Sequence, residues 1–201
     1  MKKVPLSFYQ RKDVVKIAKE LLGKIVVTNF DGQITSGKIV ETEAYVGLTD
    51  KASHSFAGKR TTKNEHMYSA AGTAYIYICY GMHQMLNIVT NEKEIPDAVL
   101  IRAIEPVAGI EIMRQRTGKK ENDKTITRGP GNVGKALGIF KHHSGLYLLD
   151  EVIFLLDDSK KIPAAHIGTS KRIGVESAGP DAELPYRFFI KGNKYVSGKS
   201  N

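Results

Sequence analysis

The segment Ile39-Val40-Glu41-Thr42-Glu43-Ala44-Tyr45 places two carboxylates and an aromatic ring close together in the chain. Read as a strand, it puts Glu41, Glu43 and Tyr45 on one face and Val40, Thr42 and Ala44 on the other. Carboxylates beside a ring suit a pocket where a planar base stacks and a water is activated. The same spacing also describes the solvated face of an edge strand. Using Glu41 and Glu43 as the acid–base pair of a small-molecule hydrolase is disfavoured. Residues i and i+2 stand side by side and cannot flank a bond from opposite sides. Further on, Arg102 interrupts the apolar run Ala98-Val99-Leu100-Ile101-Arg102-Ala103-Ile104. A buried guanidinium needs a carboxylate or several acceptors. Glu43 or Glu41 is the natural partner, and the arginine would then hold the glutamate ionised at neutral pH. The other reading leaves Arg102 at a sheet edge with its head in water.

Ala74 to Val89 reads as a β-hairpin with Gly81 in its turn. Tyr75 and Tyr77 share one face of its first strand, while Tyr80 and Met82 stand at or near the tip. Tyrosines favour strands in any case, but large apolar side chains at a projecting turn can also push between stacked bases. Asn87 lies inside Met85-Leu86-Asn87-Ile88-Val89. If buried, its amide must bridge backbone groups or read a ligand edge. His54, in Ala52-Ser53-His54-Ser55, decides nothing by itself. Arg128-Gly129-Pro130 leads into a short helix whose free N–H groups attract phosphate, although most such helix starts bind nothing. The adjacent His142-His143 pair lacks further ligands at metal spacing and reads as a solvated loop.

The elements that must position these residues are mostly strands. A helix is expected over about Asp13–Leu22, closed by Gly23. Strands are expected at Lys24–Thr28, Gly37–Tyr45, Ala74–Cys79, Met85–Thr90, Ala98–Ile104, Val152–Leu156, Arg172–Glu176 and Arg187–Lys191. Pro106 is expected to open a second helix running to about Arg116, and Lys119–Thr127 to be an exposed loop. Short links between strands favour antiparallel pairing. The fold class is therefore α+β. The expectation is a single domain over residues 1–201, built on a curved, mostly antiparallel sheet flanked by helices, with a protruding hairpin.

Composition narrows the functional classes. Thirty Lys+Arg against 21 Asp+Glu leave a formal charge of +9, which suggests a polyanionic partner such as nucleic acid, though many small proteins are basic for no specific reason. The lone Cys79 excludes an internal disulfide and any multi-cysteine metal site. No apolar run has the length of a membrane span or signal peptide, so no membrane is expected and the cytoplasm is the default compartment.

In order along the chain, these segments resemble the alkyladenine (3-methyladenine) DNA glycosylase family, the type found in mammals and some bacteria. The resemblance is carried by Val40–Tyr45, Ala52–Ser55, Tyr75–Met82 with Asn87, Leu100–Pro106, Gly129-Pro130-Gly131 with Lys135–Gly138, Arg172–Val175 and Arg187–Gly192. It covers nearly the whole chain. It implies a single mixed domain that removes alkylated or otherwise damaged purines from double-stranded DNA by water attack, with no lyase step. It further implies that Glu43 is the general base and that Arg102 lines the same site. Tyr45, His54 and Tyr77 would sandwich and hydrogen-bond the flipped base, and Asn87 would crowd a guanine amino group. Tyr80 would be the intercalating wedge with Met82 beside it, and Arg128 and Gly129 would meet the backbone. No cofactor and no metal are implied, and a monomer is the default. Ser53, Tyr68, Ala71 and His83-Gln84 depart from the family's usual residues. The main rival is a non-catalytic nucleic-acid-binding module whose tyrosines are stacking platforms. That reading leaves Glu43 without a purpose.

Overall fold

The computed structural model describes residues 1–198. In chain order the elements are β1 (Lys2–Lys3), α1 (Leu6–Tyr9), α2 (Val14–Glu20), β2 (Ile25–Phe30), β3 (Gln33–Tyr45), β4 (Ala74–Cys79), β5 (His83–Thr90), β6 (Asp97–Ala108), α3 (Ile110–Thr117), α4 (Pro130–Leu137), β7 (Ile153–Asp157), β8 (Ile167–Ser170) and β9 (Arg187–Ile190). The nine strands form one sheet in the order β1-β7-β2-β3-β6-β5-β4, with β9 joining β3 to β8. The pairings are antiparallel. The fold is α+β, as the strand-rich pattern predicts.

Helix α2 starts where Asp13 accepts a hydrogen bond from the Lys16 N–H at 2.8 Å, an N-cap that satisfies one of the orphan donors of the first turn. Its Val14, Ile17 and Ala18 are buried. They join Ile39, Ala44, Ile101, Ile104, Met113, Val133 and Leu137 in the main core, on one side of the sheet. Thr42 is buried on the same side, and its hydroxyl donates to the Ala18 carbonyl at 2.8 Å.

Helix α4 lies against β5 at unusually close range. A Cβ added at Gly134 would stand 2.1 Å from the Gln84 carbonyl oxygen, and one at Gly131 2.6 Å from the His83 imidazole. These two glycines let the helix backbone seat directly under the β4–β5 hairpin. The outer edge of β4 is covered as well. Ala74 N donates to Leu146 O and Gly145 N to Ala74 O, each at 2.8 Å. Ser144 Oγ accepts from Ile76 N at 3.1 Å, and the Lys141 ammonium donates to Ile76 O at 2.7 Å.

Three expectations need correction. Pro106 does not open a helix: it lies in β6 opposite Gly37, beside a register shift that follows Ser36. Such an irregularity tolerates a residue with no N–H to donate. The chain turns into α3 only at Gly109, whose φ of +71° and 2.3 Å clearance from Ile34 O admit no side chain. Arg172–Glu176 is not a strand. The strand is upstream at Ile167–Ser170, where Gly168 lies flat against the Phe189 ring. Lys119–Thr127 is not wholly an exposed loop, because its end forms a 3-10 turn at Lys124–Thr127 that buries Ile126 and Thr127. Among the described residues, no helix is long and apolar enough to cross a membrane.

Gly134→Ala tests the close helix–hairpin packing. Alanine contributes about 1 kcal/mol over glycine inside a helix, whereas a Cβ driven into Gln84 O costs about 1–3 kcal/mol. A net loss of stability is expected in urea denaturation, and a net gain would show that the hairpin shifts freely.

Candidate active site

The site forms on the face of the sheet opposite the main core, where β3 and β6 both break their alternation at one level. Ile39 opposes Ile104, Glu41 opposes Ala103, and Thr42 opposes Ile101, so Val40 and Arg102 are passed over in the register. Val40 and Ala103 pack with Phe189 and Val196, apart from the main core that takes Ile39, Ile101 and Ile104. Each strand therefore turns two successive residues, Val40-Glu41 and Arg102-Ala103, to the same face, as bulges do. Strict alternation from Ile39 would have driven Glu41 and Glu43 into the apolar core beneath α2. The expectation that Val40 shares a face with Thr42 and Ala44 is thus corrected. The edge-strand reading also fails, because β3 has β6 on one side and β2, then β9, on the other. Glu41 and Glu43 are both 0% exposed.

Glu41 is saturated. Its Oε1 accepts from Arg102 Nε at 3.0 Å, Arg187 Nε at 2.7 Å and Ser197 Oγ at 2.8 Å, and its Oε2 accepts from Ser197 N at 2.7 Å. With four donors already in place, its role is to anchor two guanidinium groups, and it has little capacity left for acid–base work on a substrate. Arg102 is buried, not at a solvated edge, and its Nη1 reaches Glu43 Oε1 at 3.3 Å.

Glu43 is held more lightly. Oε1 accepts the Ile173 N–H at 2.8 Å, and Oε2 accepts the Tyr45 hydroxyl at 2.9 Å. Burial raises its pKa above the ordinary carboxylate value. Arg102, the Ile173 N–H and the Tyr45 hydroxyl oppose that rise without cancelling it. Of the two placements that the sequence leaves open for Arg102, the structure has the buried one beside both glutamates, but desolvation outweighs its pull on Glu43 toward the ionised form. A buried carboxyl with raised proton affinity beside aromatic rings is suited to accept a proton from a water held against it.

The rings gather next to it. The phenols of Tyr45 and Tyr77 are both held neutral well above their usual range, chiefly by burial and then by nearby groups that include Glu43. Tyr75 and Tyr77 lie 5.8 Å apart, centroid to centroid. The exposed ring of His54 meets Tyr77 edge-on at 4.5 Å, and its Nδ1 hydrogen-bonds the Tyr75 hydroxyl at 2.9 Å. Partial desolvation where that ring meets Tyr75 and Tyr77, then Lys59 and Lys141, lower the His54 pKa. Asn87 is buried, with its amide donating to Tyr75 O and Met85 O at 3.2 Å each. It bridges backbone groups, and with both hydrogens engaged it offers a ligand bulk and a carbonyl oxygen but no donor.

The hairpin tip carries Tyr80 at 85% exposure and Met82 at 69%. Tyr80 and Gly81 both have positive φ, the mirror-image turn that matches strand twist, and Met82 N donates to Cys79 O at 3.2 Å. Arg128 is half-buried at the start of α4. Its Nη2 donates to the Lys194 carbonyl, and Gly129 is the N-cap with φ +85°. The structure thus brings Glu43, Arg102, Tyr45, Tyr77 and His54 together, with Asn87 in the neighbouring strand pair. Tyr80 and Met82 stand apart at the tip, and Arg128 and Gly129 at the helix start. Among the described residues, no group of three or more His, Cys, Asp or Glu side chains is placed to hold a metal ion. His142 and His143 lie in a 3-10 turn, with His143 stacked on Phe30 at 4.1 Å.

Sequence reasoning missed Arg187, Arg172, Asp50 and Ser197. All four are buried, and the available signal was Arg187, a charged residue set between Tyr186 and Phe188; Arg172 follows Lys171 and carries no such mark. Their partners lie too far along the chain for spacing to reveal.

Residues 7–194 match the family model described as methylpurine-DNA glycosylase (MPG). A relative from Clostridium perfringens (strain 13 / Type A) is 45% identical over 96% of this chain and 98% of its own length. One from Desulfitobacterium hafniense (strain Y51) is 41% identical over 99% and 100%, and one from Bacillus subtilis (strain 168) is 40% identical over 96% and 96%. All three carry the provisional name 3-methyladenine DNA glycosylase.

The Glu41 anchor gives a stability test. Glu41→Gln leaves Arg102 and Arg187 buried without their shared anion, and a loss of about 3–5 kcal/mol is expected in urea denaturation. A loss below about 1 kcal/mol, the scale of an exposed pair, would mean that water reaches both guanidinium groups.

Proposed function

Because this chain belongs to the methylpurine-DNA glycosylase family, we propose that it excises alkylated or otherwise damaged purines from double-stranded DNA in base excision repair, hydrolysing the N-glycosidic bond as a monofunctional enzyme. The observation that carries the reading is Glu43. It is a buried carboxyl of raised proton affinity, two of whose lone pairs are fixed by Tyr45 and Ile173, and it faces a cluster of neutral tyrosines.

In this reading the hairpin tip enters the duplex. Tyr80 and Met82 fill the gap as the damaged nucleotide swings out, a step that is least costly for a weakly paired base. Arg128 and the N–H groups at the Gly129 end of α4 contact the phosphate backbone. The base stacks among Tyr45, Tyr77 and His54. If it is cationic through alkylation, the ring faces add attraction on the order of 1–2 kcal/mol. Neutral His54 supports this, because a protonated imidazole would repel such a base. Asn87 limits the pocket by its bulk and biases it against a guanine amino group. Glu43 takes a proton from the attacking water, and Arg102 steadies the carboxylate it contacts. The water oxygen then bonds to the sugar C1′ as the C1′–N bond breaks, and the bond's electrons leave with the purine; they neutralise a base made cationic by alkylation, whereas a neutral lesion must also gain a proton as it leaves. No lysine is required as nucleophile. Lys141, which lies over the Tyr75 ring at 5.8 Å, is engaged by the Ile76 carbonyl. The scheme needs neither cofactor nor metal and is complete within one protomer and one glycosylase domain.

Base release from duplex oligonucleotides carrying 7-methylguanine, hypoxanthine or ethenoadenine tests the proposal. Glu43→Gln should lower single-turnover release by about 10²–10⁴-fold while duplex binding survives. Tight, salt-sensitive binding without release from any lesion would instead favour the binding module. The pH profile carries a sign. Glu43 acts deprotonated and its pKa is raised, so wild-type release should fall with decreasing pH at a midpoint above about 4.3, the ordinary glutamate value. A midpoint at or below that value would remove Glu43 from the base role.

A further inference from the structure

The segment Arg172-Ile173-Gly174 follows β8 and crosses the site face outside any strand. Arg172 and Asp50 form a buried two-pronged pair, with side chains 0% and 1% exposed. Both carboxylate oxygens of Asp50 accept from the guanidinium, one of them at 2.8 Å from Nη2. The same guanidinium donates to Ala44 O at 3.0 Å and Asp181 O at 2.9 Å, and lies 4.8 Å from the Tyr45 ring centroid. The next residue along supplies the N–H that Glu43 accepts at 2.8 Å.

Glu43 is faced by Arg102 from β6, by Glu41 and Tyr45 from its own strand, by Tyr77 from β4 and by Arg172 from the crossing segment, with Arg187 opposite it in β9. Of its described donors, Arg102 and Tyr45 are fixed by sheet ladders. Ile173 is not, and its segment is held instead by Arg172. Resting on the reading of Glu43 as the base, we propose that the Asp50–Arg172 pair is a positioning device, which pins the crossing segment so that the Ile173 N–H stays on the Glu43 carboxylate. Asp50 and Arg172 would touch neither the DNA nor the water.

A donated N–H stabilises the ionised form of a carboxylate, so loosening the segment makes Glu43 harder to ionise. Asp50→Asn separates this from simple charge effects by sign. Removing an anion should by charge alone ease Glu43 ionisation and move its titration down, whereas loss of the Ile173 hydrogen bond moves it up. The experiment is a ¹³C NMR titration of the Glu43 carboxyl in the full chain, comparing wild type with Asp50→Asn. A second variant carries an ester in place of the 172–173 peptide, which replaces the Ile173 N–H with an oxygen that cannot donate to Glu43. In both, the midpoint should rise by about half a pH unit or more. The acid limb of single-turnover release should move with it, and duplex Kd should stay within about twofold. A midpoint that is unmoved or lower in folded Asp50→Asn, or unmoved in the ester variant, overturns the proposal. If Asp50→Asn does not fold, as circular dichroism would reveal, the ester variant decides alone. If the midpoints rise but wild type releases no base, the positioning role stands and the glycosylase reading falls.

Discussion

Two carboxylates with no exposed surface, on a strand flanked on both sides by other strands, form the constraint to which the rest of the molecule answers. Left uncompensated, each would cost several kcal/mol. Of the four buried acids among the described residues, Asp97 is met by Gly47 N and the Asn91 amide, and the three at and beside the site, Glu41, Glu43 and Asp50, are matched by three buried arginines, Arg102, Arg172 and Arg187. These three acids lie in the first quarter of the chain and the three arginines in the second half. The partners Glu41–Arg102, Asp50–Arg172 and Glu41–Arg187 are 61, 122 and 146 residues apart. Strand β3 and the loop after it cannot bury their acids until the later segments arrive, which ties completion of the site to completion of the fold. Contacts so distant in sequence also slow the search for the native topology.

The division of labour between the glutamates follows from the same constraint. Glu41 takes four donors and serves as an anchor, whereas Glu43 takes fewer and keeps a raised proton affinity. Residues i and i+2 on one strand end up chemically unlike because the C-terminal tail, through Ser197, reaches only the first of them.

The sequence makes the strand-rich class, the hairpin with its exposed tip, and most strand positions legible, because alternation and turn residues are local signals. The faces of Glu43 and Tyr45 could be read from period two, but only because a break in that period at Val40-Glu41 is mirrored at Arg102-Ala103. No propensity reveals such a break, so strict alternation puts Val40 on the wrong face. Pro106 misled because a proline after apolar residues is a stronger helix signal than a strand that runs on past a register shift. The crossing segment at Arg172 looks apolar and alternating, yet a buried ion pair and an N–H engaged by Glu43 hold it off the sheet. Tertiary partners overrode local pattern there, and the same partners account for the site residues that went unnoticed.

The covered margin of β4 has a consequence for how copies of this chain meet one another. A bare outer strand is a template for pairing with a neighbour, and proteins suppress that hazard by shortening or shielding such strands. Here the backbone and side chains of Lys141–Leu146 occupy the margin along Ala74–Ile76, while at the opposite end of the main strand path β1 is only two residues long. The uncovered remainder of β4, Tyr77–Cys79, is too short to seed cross-strand growth, even though Ile78 is 46% exposed there. The projecting hairpin can therefore present apolar side chains to solvent without turning the sheet into a nucleus for aggregation.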